Sequence, residues 1–279
     1  MSGLLFICAK EMRFRCILRC ICGLSLILFT MKRVILAISG SLRKPSFTEK
    51  MLDLCLEGMA STGEEFEVHK FYPHKMKIGP CTSCWSCWGK KNPGVCVQKD
   101  DFEQILVVYK RADYLLLSAP LYIFDFPATV KNVIDRFFID LLPQQIVLPS
   151  GGTQHPKRFG CHPKAVLISS CGFPEMENFN LLRQHFQLIC EHIEWRFSGE
   201  ILVSAAGAAH APKLFDRKYD LIRKAGAELV NGDITPSTSK AIAAPVMSAE
   251  DYRKMTSLSF EGGVIANVKM AALSIKAMR

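Results

Sequence analysis

Residues 31–50 read MKRVILAISGSLRKPSFTEK, and the reading of this stretch decides the fold. An apolar run rich in β-branched residues (Val34, Ile35, Leu36, Ala37, Ile38) stops at Ser39-Gly40-Ser41. Arg43, Lys44, Ser46 and Thr48 follow, and then a helical pattern begins. Strand, small polar loop, helix: this order turns the free N–H groups of a helix's first turn, and the positive end of its dipole, toward the loop. Such a loop suits an anion, most readily a phosphate. Neither G-x-G-x-x-G nor G-x-x-x-x-G-K-[ST] is present, so by itself the loop is equally well read as a Gly/Ser turn closing a βα unit.

The same alternation continues outward. Residues 48–58 have helical periodicity, with Gly58 or Gly63 near the stop, and residues 65–71 alternate polar and apolar as a strand near a sheet edge does. A helix begins at Asp100-Asp101 and runs to about Lys110, with acids in its first turn. DYLLLS (113–118) is a short buried strand, and Pro127 opens a helix over 128–139. AVLIS (165–169) is the next strand, residues 180–194 are amphipathic, EILVS (200–204) is a fifth strand, and a helix spans 213 to about 230. Beyond Asn231 the chain reads as an extension (231–279) with one further helix near 250–256. Five strands interleaved with helices predict an α/β fold: a doubly wound parallel sheet of order 2-1-3-4-5 with helices on both faces. In such a sheet the ligand lies beyond the carboxyl ends of the strands, where the order switches. Three loops meet there: 39–48, 119–126 and 170–174. The Gly- and Pro-rich segment 143–163 is longer than a simple connection, which suggests a lid or an insertion.

The composition restricts the function classes. The 279 residues are about half hydrophobic and 22% charged, as in a globular protein with an ample core. The net charge of +9 is scattered and accompanies no nucleic-acid motif; it suits anionic nucleotides instead. Twelve cysteines in a long α/β chain do not form a secreted disulfide framework, which places the protein in a reducing cytoplasm. Residues 1–30 carry Arg13, Arg15 and Arg19 before an apolar run too short for a stable membrane span. We read them first as a mis-called start upstream of Met31, second as a peripheral membrane-binding tail, and last as a cleaved signal.

Four segments in this order resemble the flavodoxin-like NADPH-dependent FMN reductase family: Gly40-Ser41-x-Arg43-x-x-Ser46-x-Thr48; Pro120-Leu121-Tyr122 with Pro127-Ala128-x-x-Lys131-x-x-Ile134-Asp135-Arg136; the cysteine run with Gly94-x-Cys96-x-x-x-Asp100-Asp101; and Cys171-Gly172-Phe173-Pro174-Glu175. The resemblance covers about residues 31–256 and makes 31–230 the FMN-binding domain. It implies a non-covalently bound FMN, with NAD(P)H as co-substrate and a quinone or free flavin as the small acceptor. Its phosphate would sit among Ser39, Ser41, Arg43, Ser46, Phe47 and Thr48, where hydroxyls and a guanidinium match phosphate oxygens. The ring would lie against Pro120, Leu121, Tyr122, Ile123 and Phe124 on one side and Ser170, Cys171, Gly172 and Phe173 on the other. The aromatic residues among them are equally readable as core or lid, and Lys131, Asp135 and Arg136 as pairs at helical spacing. Because hydride chemistry belongs to the cofactor, no residue is nominated as catalytic. Family members often pair as homodimers or homotetramers. A carrier of the flavodoxin type without its own reductase activity is the alternative, and a regulatory module is the third.

The cysteine-rich loop 78–98 holds Cys81-x-x-Cys84-x-x-Cys87 and then Cys96. We read them first as reduced or redox-active thiols, next as ligands of a [4Fe-4S] cluster like that of the iron–sulfur flavoproteins in this family, and third as a zinc site. Lys90, Lys91 and Lys99 read as a solvated face.

Overall fold

A computed structural model describes residues 32–91, 93–148, 151–262, 269–270, 272–274 and 276. Residues 1–30, with the three readings of that segment, lie outside the described residues. The chain runs β1 (Arg33–Ser39), α1 (Phe47–Ala60), β2 (Phe66–Phe71), α2 (Phe102–Tyr109), β3 (Tyr114–Ser118) and α3 (Ala128–Arg136). Next come β4 (Ile146–Val147), β5 (Thr153–Gln154), β6 (Lys164–Ser170), α4 (Asn180–His192) and β7 (Arg196–Val203). The last helices are α5 (Asp216–Asn231), α6 (Pro236–Ala243) and α7 (Ala249–Glu261). Five strands form one parallel sheet of order β2-β1-β3-β6-β7. With the small β4–β5 ladder set aside, this is the predicted 2-1-3-4-5 winding. That ladder is antiparallel and lies in the segment read as a lid or insertion.

Alternation along the buried strands divides the core in two. Leu36, Ile38, Leu115 and Leu117 face α2, α3 and α4, whereas Ile35, Ala37, Leu116 and Val166 face α1 and α5. Burial of both faces explains why the central strands read as continuous apolar runs. Gly58, expected near a helix stop, instead lies inside α1 opposite Gly226 of α5. A Cβ on Gly58 would stand 1.9 Å from the Arg223 carbonyl oxygen, and one on Gly226 would stand 2.1 Å from that of Cys55. The two glycines therefore exist to let two helix backbones touch.

Two elements differ from the sequence reading. β7 begins at Arg196 rather than Glu200 because its first half is polar and a bulge interrupts its register opposite Ala165 and Val166. The C-terminal segment holds α6 as well as α7, and α6 is capped by Thr235, whose side chain accepts from the Thr238 amide. α6 packs on the sheet side of the molecule, with the Ser239 hydroxyl donating to the Glu200 carbonyl at 2.9 Å. Among the described residues, no helix is long and apolar enough to cross a membrane.

Candidate functional site

The carboxyl ends of β1, β3 and β6 bring the three predicted loops together. The Gly40 amide donates to the Ser118 carbonyl at 2.7 Å, and the Ala119 amide to that of Ile168 at 2.9 Å. Ser170 is the meeting point: its carbonyl accepts the Leu121 amide at 2.9 Å, and its hydroxyl lies 2.6 Å from that of Thr48. The Ser118 hydroxyl reaches back to the Thr48 carbonyl at 3.2 Å. Gly40 fits there because a Cβ would stand 2.3 Å from Cγ2 of Val130 and 3.0 Å from Cβ of Ala119.

The first loop divides its predicted residues by role. Ser46 is the N-cap of α1, its side chain accepting the Glu49 amide at 3.2 Å. Phe47 turns inward, its ring 5.0 Å from Phe215 and 6.5 Å from Tyr219, so the helix start is anchored in the core. Ser39 and Ser41 are buried and Arg43 is exposed. The Ser39 hydroxyl is enclosed at 1% residue exposure and has no hydrogen-bond partner. A buried hydroxyl left unsatisfied costs about 1–3 kcal/mol, and this one lies at the start of an anion-ready loop.

The second loop is a tight hairpin in which Tyr122 and Asp125 exchange backbone hydrogen bonds at 2.9 and 3.1 Å. Its tip residues Ile123 and Phe124 have φ of 46° and 65°. Left-handed backbone is unfavourable for a β-branched isoleucine, and such strain persists only where the surroundings impose it. The clamp is Asp125, whose carboxylate accepts the Phe126 amide at 2.7 Å and meets Nδ1 of His185 at 2.8 Å. Tyr122, Ile123 and Phe124 are thereby held toward solvent, Ile123 at 92% exposure, while Phe126 is core. In the third loop Phe173 is exposed. The Cys171 thiol points back to the Phe173 carbonyl at 3.2 Å, and burial pushes it up to about 11. The Tyr252 hydroxyl of α7 donates to the Gly172 carbonyl, and Arg253 pairs with Glu175 at 3.0 Å. No sequence signal points to this strap, since a tyrosine and an arginine in a polar helix carry no motif.

On the far side of α3 lies the cysteine loop. Cys81, Cys84, Cys87 and Cys96 line one cavity of about 30 Å³ together with Arg136 and Phe138. Burial raises the Cys87 thiol, and the charges of Cys96, Cys81 and Cys84 raise it further, so the four sulfurs sense one another. Cys84 is exposed and its thiol is lowered, chiefly by bonds to Ser86. Trp85, Trp88 and Phe138 close the loop, with Trp88 stacked on Phe138 at 4.6 Å, and the buried indole N–H of Trp88 has no partner. Among the described residues, no three His, Cys, Asp or Glu side chains could hold a single metal ion. That counts against zinc, which gathers its ligands tightly; the four thiols are the donor type that a [4Fe-4S] cluster would take, one for each iron.

Lys131 and Asp135 pair at helical spacing as expected, 2.5 Å apart. Arg136 does not. It is buried and turns to Asp100, Nη1 to Oδ2 at 2.8 Å and Nη2 to Oδ1 at 3.1 Å, while Nη2 also stands 3.3 Å from Sγ of Cys96. A second buried pair, Lys157 with Asp140 at 2.6 Å, ties down the end of segment 143–163. Arg158 then reaches the Cys87 carbonyl at 3.2 Å.

An open doubly wound sheet with loops meeting at its switch point is the flavodoxin-like architecture. The chain belongs to the NADPH-dependent FMN reductase family, whose model matches residues 33–188. It is 37% identical over 99 residues to an iron-sulfur flavoprotein of Archaeoglobus fulgidus, a match covering 36% of this chain and 43% of that protein. It is 32% identical over 102 residues to one of Methanosarcina thermophila, covering 37% and 51%. The chain thus spans about half the length of these curated relatives. Its fold is similar to that of an FMN-dependent NADH-azoreductase from Bacillus anthracis solved in complex with FMN (TM-score 0.54, 12% identity, 72% of this chain and 100% of that one). It is also similar to that of an NAD(P)H:quinone oxidoreductase from Methanothermobacter marburgensis (TM-score 0.52, 16% identity, 71% and 98%). At these identities the likeness is one of fold.

Proposed function

We propose that the chain is an FMN-dependent oxidoreductase that takes hydride from NAD(P)H and reduces a small acceptor, a quinone or a free flavin. The observation that carries this reading is the buried, partnerless Ser39 hydroxyl at the carboxyl end of β1, where the loop leading to α1 begins and an anionic mononucleotide tail would be held. Ser39, Ser41, Arg43 and the first-turn amides of α1 would hold the phosphate, with Ser46 fixing the helix start and Phe47 and Thr48 anchoring it. Pro120, Leu121, Tyr122, Ile123 and Phe124 would cover one side of the ring, and Ser170, Cys171, Gly172 and Phe173 would supply backbone on the other. When bound, FMN supplies the hydride acceptance and electron delivery. The side chains around it bind, orient and exclude water, and none need transfer a proton.

Residues 31–230 form the FMN-binding unit in this reading, with 231–279 as an extension that straps the third loop. Assembly as a homodimer or homotetramer and a cytoplasmic location belong to the same reading.

The test is an absorbance titration of purified protein with FMN, followed by NADH or NADPH without air. The expected result is flavin binding and direct bleaching; a protein that refuses FMN would remove the proposal. Arg43→Ala should weaken FMN binding about tenfold or more, as expected for one charge-assisted bond of roughly 1.5–3 kcal/mol. A second reading, an electron carrier with a [4Fe-4S] cluster on Cys81, Cys84, Cys87 and Cys96, is favoured by their common cavity. Bleaching only after a separate reductase protein is added would support it.

A further inference from the structure

α3 connects two chemistries. Its first turn follows the exposed hairpin of the second loop, and its last residue, Arg136, enters the cysteine loop. Arg136 is 3% exposed, and its guanidinium is shared between one carboxylate, one carbonyl and one thiol: Asp100, Gly79 O at 3.1 Å and Cys96 Sγ. Asn132, one turn earlier on the same helix, donates to the Ile78 carbonyl at 3.3 Å, so two side chains of α3 grip the stem of the loop. Asp100 is itself fixed by the amides of Gly79 (3.0 Å) and Phe102 (3.2 Å). A buried cation normally has a carboxylate to itself; here one N–H is turned partly onto a sulfur of the four-cysteine cavity.

We propose that Arg136 is a positioning residue that tunes the cysteine centre, its guanidinium N–H aimed at Cys96 Sγ raising the reduction potential of an iron–sulfur cluster held there. This rests on the second reading above, in which the four cysteines ligate a cluster. The physics is direct. One electron from an external reductant adds one negative charge to the centre, with no bond formed or broken. A cation and a hydrogen bond at a ligating sulfur favour that more negative state. Asp100 acts in the opposite sense, because its carboxylate offsets the guanidinium charge. The pair is therefore a dial with two ends: removing the cation should make the centre harder to reduce, and removing the anion should make it easier.

The experiment reconstitutes the full chain with iron and sulfide without air, measures iron per chain, and titrates the centre with dithionite while following its absorbance and electron paramagnetic resonance. Arg136→Gln is expected to lower the reduction equilibrium constant at least tenfold, which for a one-electron couple is about 59 mV. Arg136→Lys keeps the charge without the fork and should recover part of that shift. Asp100→Asn should move the potential the other way, which loss of structure would not do. Lys131→Gln removes an equal charge from an exposed position on the same helix and should leave the potential within a factor of two.

Two results would overturn the proposal. Iron bound at full occupancy in every variant, with one common potential, would leave the cluster reading intact and dismiss Arg136 as a tuning residue. Wild-type protein that takes up no iron would show that the cluster reading fails and the proposal with it.

Discussion

The two ends of α3 face opposite conditions. At its C-terminal end the buried charges of Arg136 and Asp140 are paired: Arg136 is bidentate to Asp100, and Asp140 is shared by Lys157, Tyr109 and the Phe159 amide. At its N-terminal end polar groups lack partners: the Ser39, Ser169 and Thr129 hydroxyls are enclosed and unpaired, and strained apolar side chains stand in solvent. A fold that has satisfied its buried groups does not depend on a ligand for its stability. An unsatisfied hydroxyl at an anion-ready loop is where a bound ligand would supply the missing partner. The difference separates architecture from site without reference to any relative.

The largest effect belongs to the satisfied end. Lys157 and Asp140 are 4% and 0% exposed, and the Lys157 ammonium also donates to the Tyr109 hydroxyl (2.8 Å) and the Ile193 carbonyl (2.6 Å). Lys157→Met would strand a buried carboxylate, a loss of roughly 3–5 kcal/mol in urea unfolding. Adding Asp140→Asn should restore part of it, since the uncompensated charge disappears with the carboxylate. If the double variant were worse than the single one, the pair would not be the latch it looks like, and the contrast between the two ends would lose its first half.

A second test compares thiols at the two ends. Burial pushes Cys171 up to about 11, and Cys55 and Cys190 to about 12, whereas bonds to Ser86 lower the exposed Cys84. The reactive species is the thiolate, so at pH 8 iodoacetamide should modify Cys84 at least about a hundredfold faster than Cys171, as read by peptide mapping. The rate at Cys171 should climb as pH rises toward 11, because its proton is lost only there. Equal rates at pH 8 would mean that the third loop opens readily, contrary to its strap by Tyr252 and Arg253.

Much of this was readable from the chain because the signals are local. Val34 to Ile38, Leu115 to Leu117 and Ala165 to Ile168 are short apolar runs ending in small polar residues, and that pattern alone implies parallel strands and their loops. Cys81, Cys84, Cys87 and Cys96 announce themselves by spacing. What could not be read depends on partners distant in sequence. Arg136 looked like one more helical charge until Asp100 and Cys96, 36 and 40 residues away, were seen around it. Gly58 looked like a helix stop because its purpose, contact with α5, lies across the fold. The first half of β7 was hidden by its polar residues and its bulge.

Ser39 is where the comparison can be sharpened most finely, and with the smallest effect. It lies at the end of β1, on the face shared with Ile35 and Ala37, below the start of α1. Without ligand its hydroxyl is desolvated and unpaired, so Ser39→Ala should stabilise the FMN-free chain by about 1 kcal/mol or leave it unchanged. With FMN the sign should reverse, because the hydroxyl would then have an oxygen to bond, and affinity should fall several-fold. Denaturation of both proteins with and without FMN reads both quantities at once, since ligand binding to the native state alone adds RT ln(1 + [L]/Kd). A substitution that destabilised both forms equally would make the hydroxyl an ordinary part of the core. Opposite signs in the two states would show that the serine is kept for the ligand, at a cost the empty protein carries.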